Sequence, residues 1–348
     1  MSQTSADPTS MSALPAPLLD GRGRALEELR LSVIDQCNFR CRYCLPSELF
    51  EHGSPFLADK DRLTLDELEA IARGFIELGV RKIRLTGGEP LLFAELPELV
   101  QRLHAAAPDL DLTLTTNGLR LATLIEGLRA RGLSRVNVSL DALDPAVLRA
   151  VSGRTIDPEK ILQGIRVARD SGLPVKVNMV VMAGINESQI VAMARRMRDE
   201  GVALRYIEYM DVGNSNGWSE ADVVRGKTTH ARLAEVLPLQ PYAEGRLEGV
   251  ARICRYLDGA GTVGFINSVS QPFCSGCTRA RVSADGTLYG CLFANKGLPL
   301  RPLLRTGKPL AEALIDFWSQ RDDRYSELRG QDTETATGRR AEMWQLGG

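Results

Sequence analysis

The chain has 348 residues, of which 44% are hydrophobic and 25% are charged, and these fractions are typical of a globular protein. Lysine and arginine number 43 against 44 aspartates and glutamates, so the near-zero net charge gives no indication of nucleic acid or membrane as a partner. No run approaches the roughly 18 apolar residues of a membrane-spanning helix. Any anion site must therefore be a local arrangement of basic side chains.

Residues 1–24 are predicted to be a disordered lead-in. Met1 to about Gly23 is rich in Ser, Thr, Pro and Ala, without the charged start or sustained apolar stretch of a secretory signal. We therefore expect the protein in the cytoplasm, where its seven cysteines would not form a disulfide framework.

Beyond the lead-in, strands and helices alternate. Six strands are predicted, at Leu29–Ile34, Lys82–Thr86, Asp111–Thr116, Arg135–Leu140, Pro174–Met182 and Ala203–Met210. Helices are predicted around residues 65–78, 95–107, 119–131, 158–171 and 187–200. This alternation indicates a parallel sheet with helices outside. Because a closed barrel has eight such units, residues 25–225 are predicted to form a partial, open-sided (β/α)6 barrel of the α/β class.

The predicted strands have one apolar and one polar face, since side chains alternate along a strand. The polar positions are Arg30, Ser32, Arg84, Thr86, Thr113, Thr115, Asn137, Ser139, Lys176 and Asn178. Barrel interiors are normally apolar, so this partly cationic lining predicts a cavity for a polar ligand. The alternative is a solvent-facing sheet surface, which parallel sheets seldom leave uncovered. Arg205 does not fit the alternation.

Cys37, Cys41 and Cys44 follow the first strand with C-x3-C-x2-C spacing and have no fourth cysteine or histidine nearby. Structural zinc needs four ligands, whereas a [4Fe-4S] cluster held by three thiolates keeps one iron open for a non-protein ligand. The spacing favours the cluster. A zinc site with a remote ligand, or an exposed turn without a metal, remains an alternative.

Residues 226–348 are predicted to form an α+β C-terminal domain that begins after the polar, Gly-rich stretch 214–227. It contains a second group of three cysteines, Cys274, Cys277 and Cys291. Between them, Arg279 and Arg281 lie on one strand face and suit phosphate, because guanidinium groups bind it with paired donors. The alternative is zinc completed by Cys254, which otherwise reads as a semi-buried free thiol.

The cysteine spacing, with Tyr43 before the last cysteine, resembles the radical S-adenosylmethionine (radical SAM) family. The stretch Thr86-Gly87-Gly88-Glu89-Pro90 at the end of the second strand is similar to the motif that holds the methionine part of SAM in that family. The resemblance implies that Tyr43, Gly88, Ser139 and Met210 lie near SAM. Without the resemblance, Met210 would be interpreted as a core-packing residue.

Further stretches narrow the resemblance within that family, to the GTP 3′,8-cyclases of molybdenum cofactor biosynthesis. They are Leu29–Val33, Arg84–Pro90, Thr115–Gly118, Asn137–Asp141, Val175–Asn178, Phe273–Arg281 and the final Gly347-Gly348. The resemblance implies two [4Fe-4S] clusters, one on each group of three cysteines. It also implies GTP contacts from Arg30, Arg84, Thr115, Lys176, Arg279 and Arg281, with a catalytic role for Arg279, Arg281, Gly347 and Gly348.

The reaction implied by the resemblance starts with reductive cleavage of SAM. A 5′-deoxyadenosyl radical removes hydrogen from C3′ of GTP, and the sugar radical attacks C8 to give 3′,8-cyclo-7,8-dihydro-GTP. The implied partners are an electron donor such as flavodoxin or ferredoxin and the next pathway enzyme, cyclic pyranopterin monophosphate synthase (MoaC), and a homodimer remains open. Two alternatives are a radical SAM peptide-modifying enzyme with an auxiliary cluster and a two-cluster electron-transfer module.

Overall fold

The computed structural model describes residues 17–51, 53–241, 247–307, 309–331 and 340–347. The helices in these ranges are α1 (Leu65–Glu77), α2 (Leu96–Ala106), α3 (Leu121–Ala130), α4 (Pro145–Ser152), α5 (Pro158–Asp170), α6 (Ile190–Asp199), α7 (Gly226–Ala234), α8 (Arg301–Arg305), α9 (Leu310–Ser319) and α10 (Met343–Leu346). None of these helices is both long and apolar enough to cross a bilayer.

The strands form one sheet. They are β1 (Glu28–Ile34), β2 (Lys82–Gly87), β3 (Asp111–Thr116), β4 (Arg135–Ser139), β5 (Val175–Val181), β6 (Ala203–Glu208), β7 (Leu239–Pro241), β8 (Leu247–Glu248), β9 (Ala251–Tyr256), β10 (Thr262–Ile266), β11 (Arg279–Val282), β12 (Thr287–Tyr289) and β13 (Leu298–Pro299). The order is β13-β12-β11-β1-β2-β3-β4-β5-β6-β10-β9-β7, and β8 pairs with β9. Strands β1 to β6 are parallel neighbours in chain order, which confirms the predicted (β/α)6 arrangement.

The C-terminal strands extend this sheet at both edges. Strand β11 pairs in parallel with β1, which places Arg281 opposite Arg30. Strand β10 pairs in parallel with β6 at the other edge. The C-terminal segment is therefore joined to the barrel through backbone hydrogen bonds, and it brings its arginines beside the first strand.

One face of the sheet packs on the helices. The apolar residues of the predicted alternation, such as Leu31, Ile83, Leu85 and Val138, are 0% exposed in the core. Helix α1 begins with a capping box, in which the side chains of Thr64 and Glu67 each accept a hydrogen bond from the other residue's backbone N–H. The polar residues of the alternation therefore lie on the side of the sheet away from the helices.

The structure corrects the prediction of a disordered lead-in for residues 17–24. Leu19 forms a β-bridge with Ala25, and the side chains of Asp20 and Arg24 are buried against each other. The reason is non-local, because Asp20 also pairs with Arg321 near the other end of the chain. Residues 1–16 of the predicted lead-in lie outside the described residues.

Helix α4 is missing from the predicted elements. Its start carries a readable signal: Asp144 caps the helix by accepting hydrogen bonds from the N–H groups of Ala146 and Val147, and Pro145 occupies the first turn. Gly153 ends the helix with φ of +63°. Eight residues give too short a periodic pattern for a helix to be inferred from hydrophobic spacing.

Candidate active site

The early cysteines lie in the loop after β1, residues 37–44, which we call the first cysteine loop. Two backbone hydrogen bonds tie it to the end of α4: Arg40 N–H donates to Ser152 O at 2.8 Å, and Arg42 N–H donates to Val151 O at 3.0 Å. A Cβ on Gly153 would lie 2.8 Å from Arg40 O, so only glycine fits at this contact. The helix that the sequence pattern missed thus positions the first cysteine loop.

The three thiols of this loop are half-buried. Burial and the nearby Glu89 carboxylate raise the pKa of Cys37 to about 11, and burial raises the pKa of Cys41 and Cys44 well above the usual value. A bound metal cation at this loop would favour the thiolate forms of these side chains.

The donor set of the first cysteine loop fits the three-thiolate cluster predicted from the sequence. Among the described residues, no group of three or more His, Cys, Asp or Glu side chains is spaced to hold one ion. Three thiols with no fourth protein ligand match a [4Fe-4S] cluster with one open iron.

The Gly-Gly turn after β2 packs directly against the entrance of the first cysteine loop. Gly88 N–H donates to Ile34 O and Glu89 N–H donates to Gln36 O, both at 2.8 Å. The Glu89 carboxylate is buried and accepts hydrogen bonds from Thr116 Oγ1 and the N–H of Asn117, each at 2.7 Å. Glu89 thereby links the ends of β2 and β3 to the first cysteine loop.

Gly88→Ala is expected to destabilise the protein by about 1–3 kcal/mol, the usual cost of overpacking. A Cβ at this position would lie 2.2 Å from Gln36 O, a backbone atom that cannot move without shifting the first cysteine loop. Gly127→Ala on α3 is the matched control, because its Cβ would meet only the end of the Arg131 side chain at 3.5 Å and alanine favours a helix. Thermal unfolding should show a clear loss of Tm for the first variant only, and equal Tm values would contradict the expectation.

The predicted SAM contacts lie around the first cysteine loop. Tyr43 donates its hydroxyl hydrogen bond to Asp141 Oδ2 at 3.0 Å, and the N–H of Val180 donates to the other carboxylate oxygen at 2.9 Å. Burial raises the pKa of Asp141 to about 6. Ser139 ends β4 two residues earlier and is half-buried. Asp141 is a buried partner of Tyr43 for which the sequence pattern predicted no role, although its position just beyond a strand end is a usable signal.

The predicted GTP contacts fall in rows across the sheet. Arg30 lies between Arg281 on β11 and Arg84 on β2, and Thr115 and Lys176 both stand opposite Asn137 on β4. All of these side chains are buried or half-buried, so the polar face is not a solvent-facing surface. Burial and the neighbouring Arg281 hold the pKa of Arg30 well below its usual range, which reflects the crowding of like charges.

We call the surface formed by Arg30, Arg84, Lys176, Arg279 and Arg281 the cationic face. Glu28 is its counter-ion, and the sequence analysis did not predict this role. Its carboxylate accepts hydrogen bonds from Lys82 Nζ at 2.5 Å and Arg84 Nε at 3.2 Å, and it pairs with Arg30 at 3.4 Å. Burial alone would raise the pKa of Glu28, but Arg30, Arg84 and Lys82 outweigh burial and hold it far below the usual range. The usable signal was that Glu28 shares the strand face of Arg30 two residues earlier.

The structure also assigns Arg205 to the cationic face. It lies on β6 directly opposite Asn178, and its charge acts on Arg84. The strand pattern was ambiguous because Glu208 occupies the helix-facing side of β6. There Glu208 is buried and accepts hydrogen bonds from the N–H groups of Gly226, Val269 and Ser270 at 2.7–2.8 Å.

The second group of cysteines precedes and follows β11. Arg279 donates to Cys277 Sγ at 3.7 Å. Burial alone would raise the pKa of Cys277, but Arg279 and Arg321 outweigh it and lower the pKa to about 6. Cys254 lies on β9, and seven strands separate β9 from β11 in the sheet order, so the structure does not support zinc completed by that residue.

A small hydrophobic cluster connects the two groups of cysteines. Its buried members are Val212, Phe293 and Met343, and Cys44, Met210 and Cys291 pack against it. One cysteine of each group and the predicted SAM contact Met210 therefore share the same neighbours. Because Met343 begins α10, the C-terminal tail is part of this connection.

The C-terminal tail lies on the cationic face. Arg281 NH1 donates to Gly347 O at 3.1 Å, and Ser32 Oγ donates to Gln345 O at 2.9 Å. Gly347 has φ of +67°, and a Cβ there would lie 2.2 Å from Thr86 Cγ2. The position thus requires glycine for both space and backbone conformation. Gly348 lies outside the described residues.

Comparison with known proteins gives two adjoining family matches. Residues 31–197 match the radical SAM superfamily, and residues 202–327 match the family described as Molybdenum Cofactor Synthesis C.

Three curated relatives are each named GTP 3′,8-cyclase. The protein of Xanthomonas axonopodis pv. citri (strain 306) is 46% identical over 337 residues, covering 96% of this chain and all of the relative. That of Acidothermus cellulolyticus is 47% identical, covering 91% and 90%, and that of Staphylococcus aureus (strain JH9) is 43% identical, covering 90% and 94%.

Two solved structures share the fold at low sequence identity. Streptococcus suis SuiB bound to S-adenosylmethionine has a TM-score of 0.59 and 15% identity, covering 90% of this chain and 70% of SuiB. Native anSMEcpe with bound AdoMet has a TM-score of 0.51 and 14% identity, covering 84% and 83%. At these identities the likeness concerns the fold alone.

Proposed function

This chain belongs to the family of GTP 3′,8-cyclases, and we propose that it converts GTP to (8S)-3′,8-cyclo-7,8-dihydroguanosine 5′-triphosphate, the first step of molybdenum cofactor biosynthesis. The observation that supports this activity most strongly is the cationic face of β11, β1 and β2. It carries the arginines suited to a triphosphate, and the tail that contacts it packs on both groups of cysteines.

Radical SAM membership implies a [4Fe-4S] cluster and SAM. We assign the cluster to Cys37, Cys41 and Cys44. SAM would lie among the predicted contacts Tyr43, Gly88, Ser139 and Met210. When bound and reduced, the cluster and SAM supply a 5′-deoxyadenosyl radical. The protein's own part is to fix the reacting atoms in place, and the hydrogen bond from the half-buried Tyr43 to the buried Asp141 carboxylate serves that purpose.

The cationic face would orient the triphosphate of GTP. Arg30, Arg84, Lys176, Arg279 and Arg281 supply positive charge, and Thr115 accepts a hydrogen bond from Arg84 NH1 at 3.0 Å, which fixes that guanidinium. Charges held in place before the substrate arrives stabilise developing charge without reorganisation. Glu28 contributes by keeping the crowded cations together in the absence of a phosphate.

A second [4Fe-4S] cluster on Cys274, Cys277 and Cys291 is part of the proposal. These cysteines again supply only three thiols, which would leave one iron open for the guanine base. The low pKa of Cys277, about 6, suits a thiolate ligand, and its cause is the neighbouring Arg279 and Arg321.

The tail is proposed to act at the same face, with Arg281 fixing the Gly347 carbonyl. Gly347→Ala is expected to lower cyclisation of GTP by at least about ten-fold, because misplacement near the reacting atoms is costly. Its Cβ would lie 2.2 Å from Thr86, whereas Gly307→Ala is a control at another positive-φ glycine with no neighbour within 4 Å of the added Cβ. Product formation by mass spectrometry is the measurement, and unchanged activity of Gly347→Ala would remove the role of the tail.

The cellular partners of this reaction are also proposals. The reaction consumes two electrons, one for cleavage of SAM and one, together with a proton, to reduce the radical left after cyclisation, and a donor such as flavodoxin or ferredoxin would supply them. The cyclised nucleotide would pass to cyclic pyranopterin monophosphate synthase, and both partners are consistent with the proposed cytoplasmic location.

Anaerobic reconstitution of the purified protein, followed by reaction with SAM, GTP and dithionite, tests the proposed function. We expect 5′-deoxyadenosine and a cyclised nucleotide isomeric with GTP. A peptide-modifying enzyme would give no nucleotide product, and an electron-transfer module would not cleave SAM. Either of these results would overturn the proposal.

A further inference from the structure

A buried ion-pair network lies behind the second group of cysteines. Asp20 Oδ2 accepts hydrogen bonds from Arg24 Nε at 2.7 Å and from Arg321 NH1 at 2.9 Å. The side chains of Asp20, Arg24 and Arg321 are only 0%, 2% and 2% exposed. The network therefore joins the segment before β1 to the segment after α9 in the protein interior.

Both guanidinium groups also bind the backbone at the second group of cysteines. Arg24 NH1 donates to Cys274 O at 2.9 Å. Arg321 NH1 donates to Cys277 O at 3.0 Å, and Arg321 Nε donates to O of Gly290, the residue before Cys291, at 2.8 Å. Each cysteine, or the residue directly before it, is thus held by one of these two arginines.

Removal of the Asp20 charge alone would disturb the whole ion-pair network. Two buried guanidinium groups share its carboxylate, whereas Asp323 Oδ2 lies farther away, 3.6 Å from Arg321 Nε, so loss of the Asp20 charge would leave the two guanidinium groups with a weaker counter-ion. Asp20 and Arg24 also lie outside residues 31–197 and 202–327, the ranges that match the two families. The segment before β1 therefore contributes contacts to the second group of cysteines that the matched ranges do not include.

We propose that Asp20, Arg24 and Arg321 are positioning residues that fix the backbone of Cys274, Cys277 and Cys291 for iron–sulfur cluster binding. None of the three would touch the cluster or the substrate. Their effect would be to keep the three thiols in one arrangement, so that little ordering remains when the cluster binds. This inference rests on the second cluster of the proposed function.

The test counts iron in two backgrounds, each with one intact group of cysteines. Cys41→Ser leaves only the second group intact, and Cys277→Ser leaves only the first. Asp20→Asn is added to each background, and bound iron and sulfide per chain are measured after anaerobic reconstitution at limiting iron. We expect Asp20→Asn to lower iron affinity about ten-fold or more in the Cys41→Ser background, and to leave it unchanged in the Cys277→Ser background.

A purely structural role for the network would lower iron binding in both backgrounds, and that result would overturn the inference. Unchanged iron in both backgrounds would overturn it as well, as would a Cys41→Ser parent that binds no iron.

Arg24→Lys keeps the charge but not the fork-shaped donor to Cys274 O, and it covers the case in which Asp20→Asn does not fold. Asp322→Asn, whose side chain is 73% exposed, is the matched control. GTP cyclisation by the wild-type protein, measured separately, shows whether the proposed function itself fails.

Discussion

Cys41→Ser is expected to abolish both SAM cleavage and GTP cyclisation. The hydroxyl of serine is a poor ligand for iron, and the first cysteine loop has no fourth thiol to replace the one removed. Cys41 is also half-buried in a loop fixed by α4 and the Gly-Gly turn, so the backbone cannot bring a distant thiol into its place. The measurement is 5′-deoxyadenosine and cyclised nucleotide formed under anaerobic reduction, which should fall to the level seen without iron.

Two further cysteine variants make this prediction specific. Cys254→Ser, on β9 near the end of the sheet opposite β11, should leave both products unchanged. Cys277→Ser should retain some SAM cleavage but lose the cyclised nucleotide, because the second group is assigned to substrate binding. Equal loss of SAM cleavage in Cys41→Ser and Cys277→Ser would contradict the division of roles between the two groups.

Arg281→Ala is expected to lower kcat for GTP cyclisation by about a hundred-fold or more, the usual loss when one preorganised charged donor is removed from an active site. Arg281 stands opposite Arg30 in the sheet and donates to Gly347 O, so one change removes a charge from the cationic face and releases the tail. Burial and Arg279 lower the pKa of Arg281 to about 10, which leaves it charged at neutral pH.

Steady-state kinetics with GTP would separate the two contributions of Arg281. Arg281→Lys should restore part of the affinity for GTP but not the fork-shaped geometry. Arg73→Ala on the outer surface of α1 is the control, since its side chain is 49% exposed and pairs with Glu69 on the same helix. An Arg281→Ala enzyme with wild-type kcat and KM would show that the cationic face is not the triphosphate site.

Much of this site could be predicted because strand alternation is a local property. Arg30, Arg84, Thr115 and Lys176 share one face of successive strands, and the parallel register brings them together as the alternation required. Glu28 was missed by one residue at the start of β1, where strand boundaries are hardest to infer. Its importance depends on charges from β2, which strand alternation alone does not reveal.

The parts that could not be predicted depend on contacts between distant segments. Asp20 reads as a residue of a polar N-terminal segment, and only the approach of Arg321 shows why that segment is ordered. Arg205 could not be assigned to a face of its strand because Glu208 occupies the apolar side of the same strand. There Glu208 accepts hydrogen bonds from backbone N–H groups of two other segments. The donors to Glu208, Gly226 and Val269, lie outside β6, and the sequence around that strand does not reveal them as its partners.

We propose that radical chemistry begun at the first cysteine loop acts on the ribose of GTP held at the cationic face. The most direct measurement is reaction of the anaerobically reconstituted protein with SAM and GTP deuterated at C3′, followed by mass analysis of 5′-deoxyadenosine and the nucleotide. We predict deuterium in 5′-deoxyadenosine together with a cyclised nucleotide that has lost it. Deuterium retained entirely in the nucleotide, with 5′-deoxyadenosine formed unlabelled, would contradict the account.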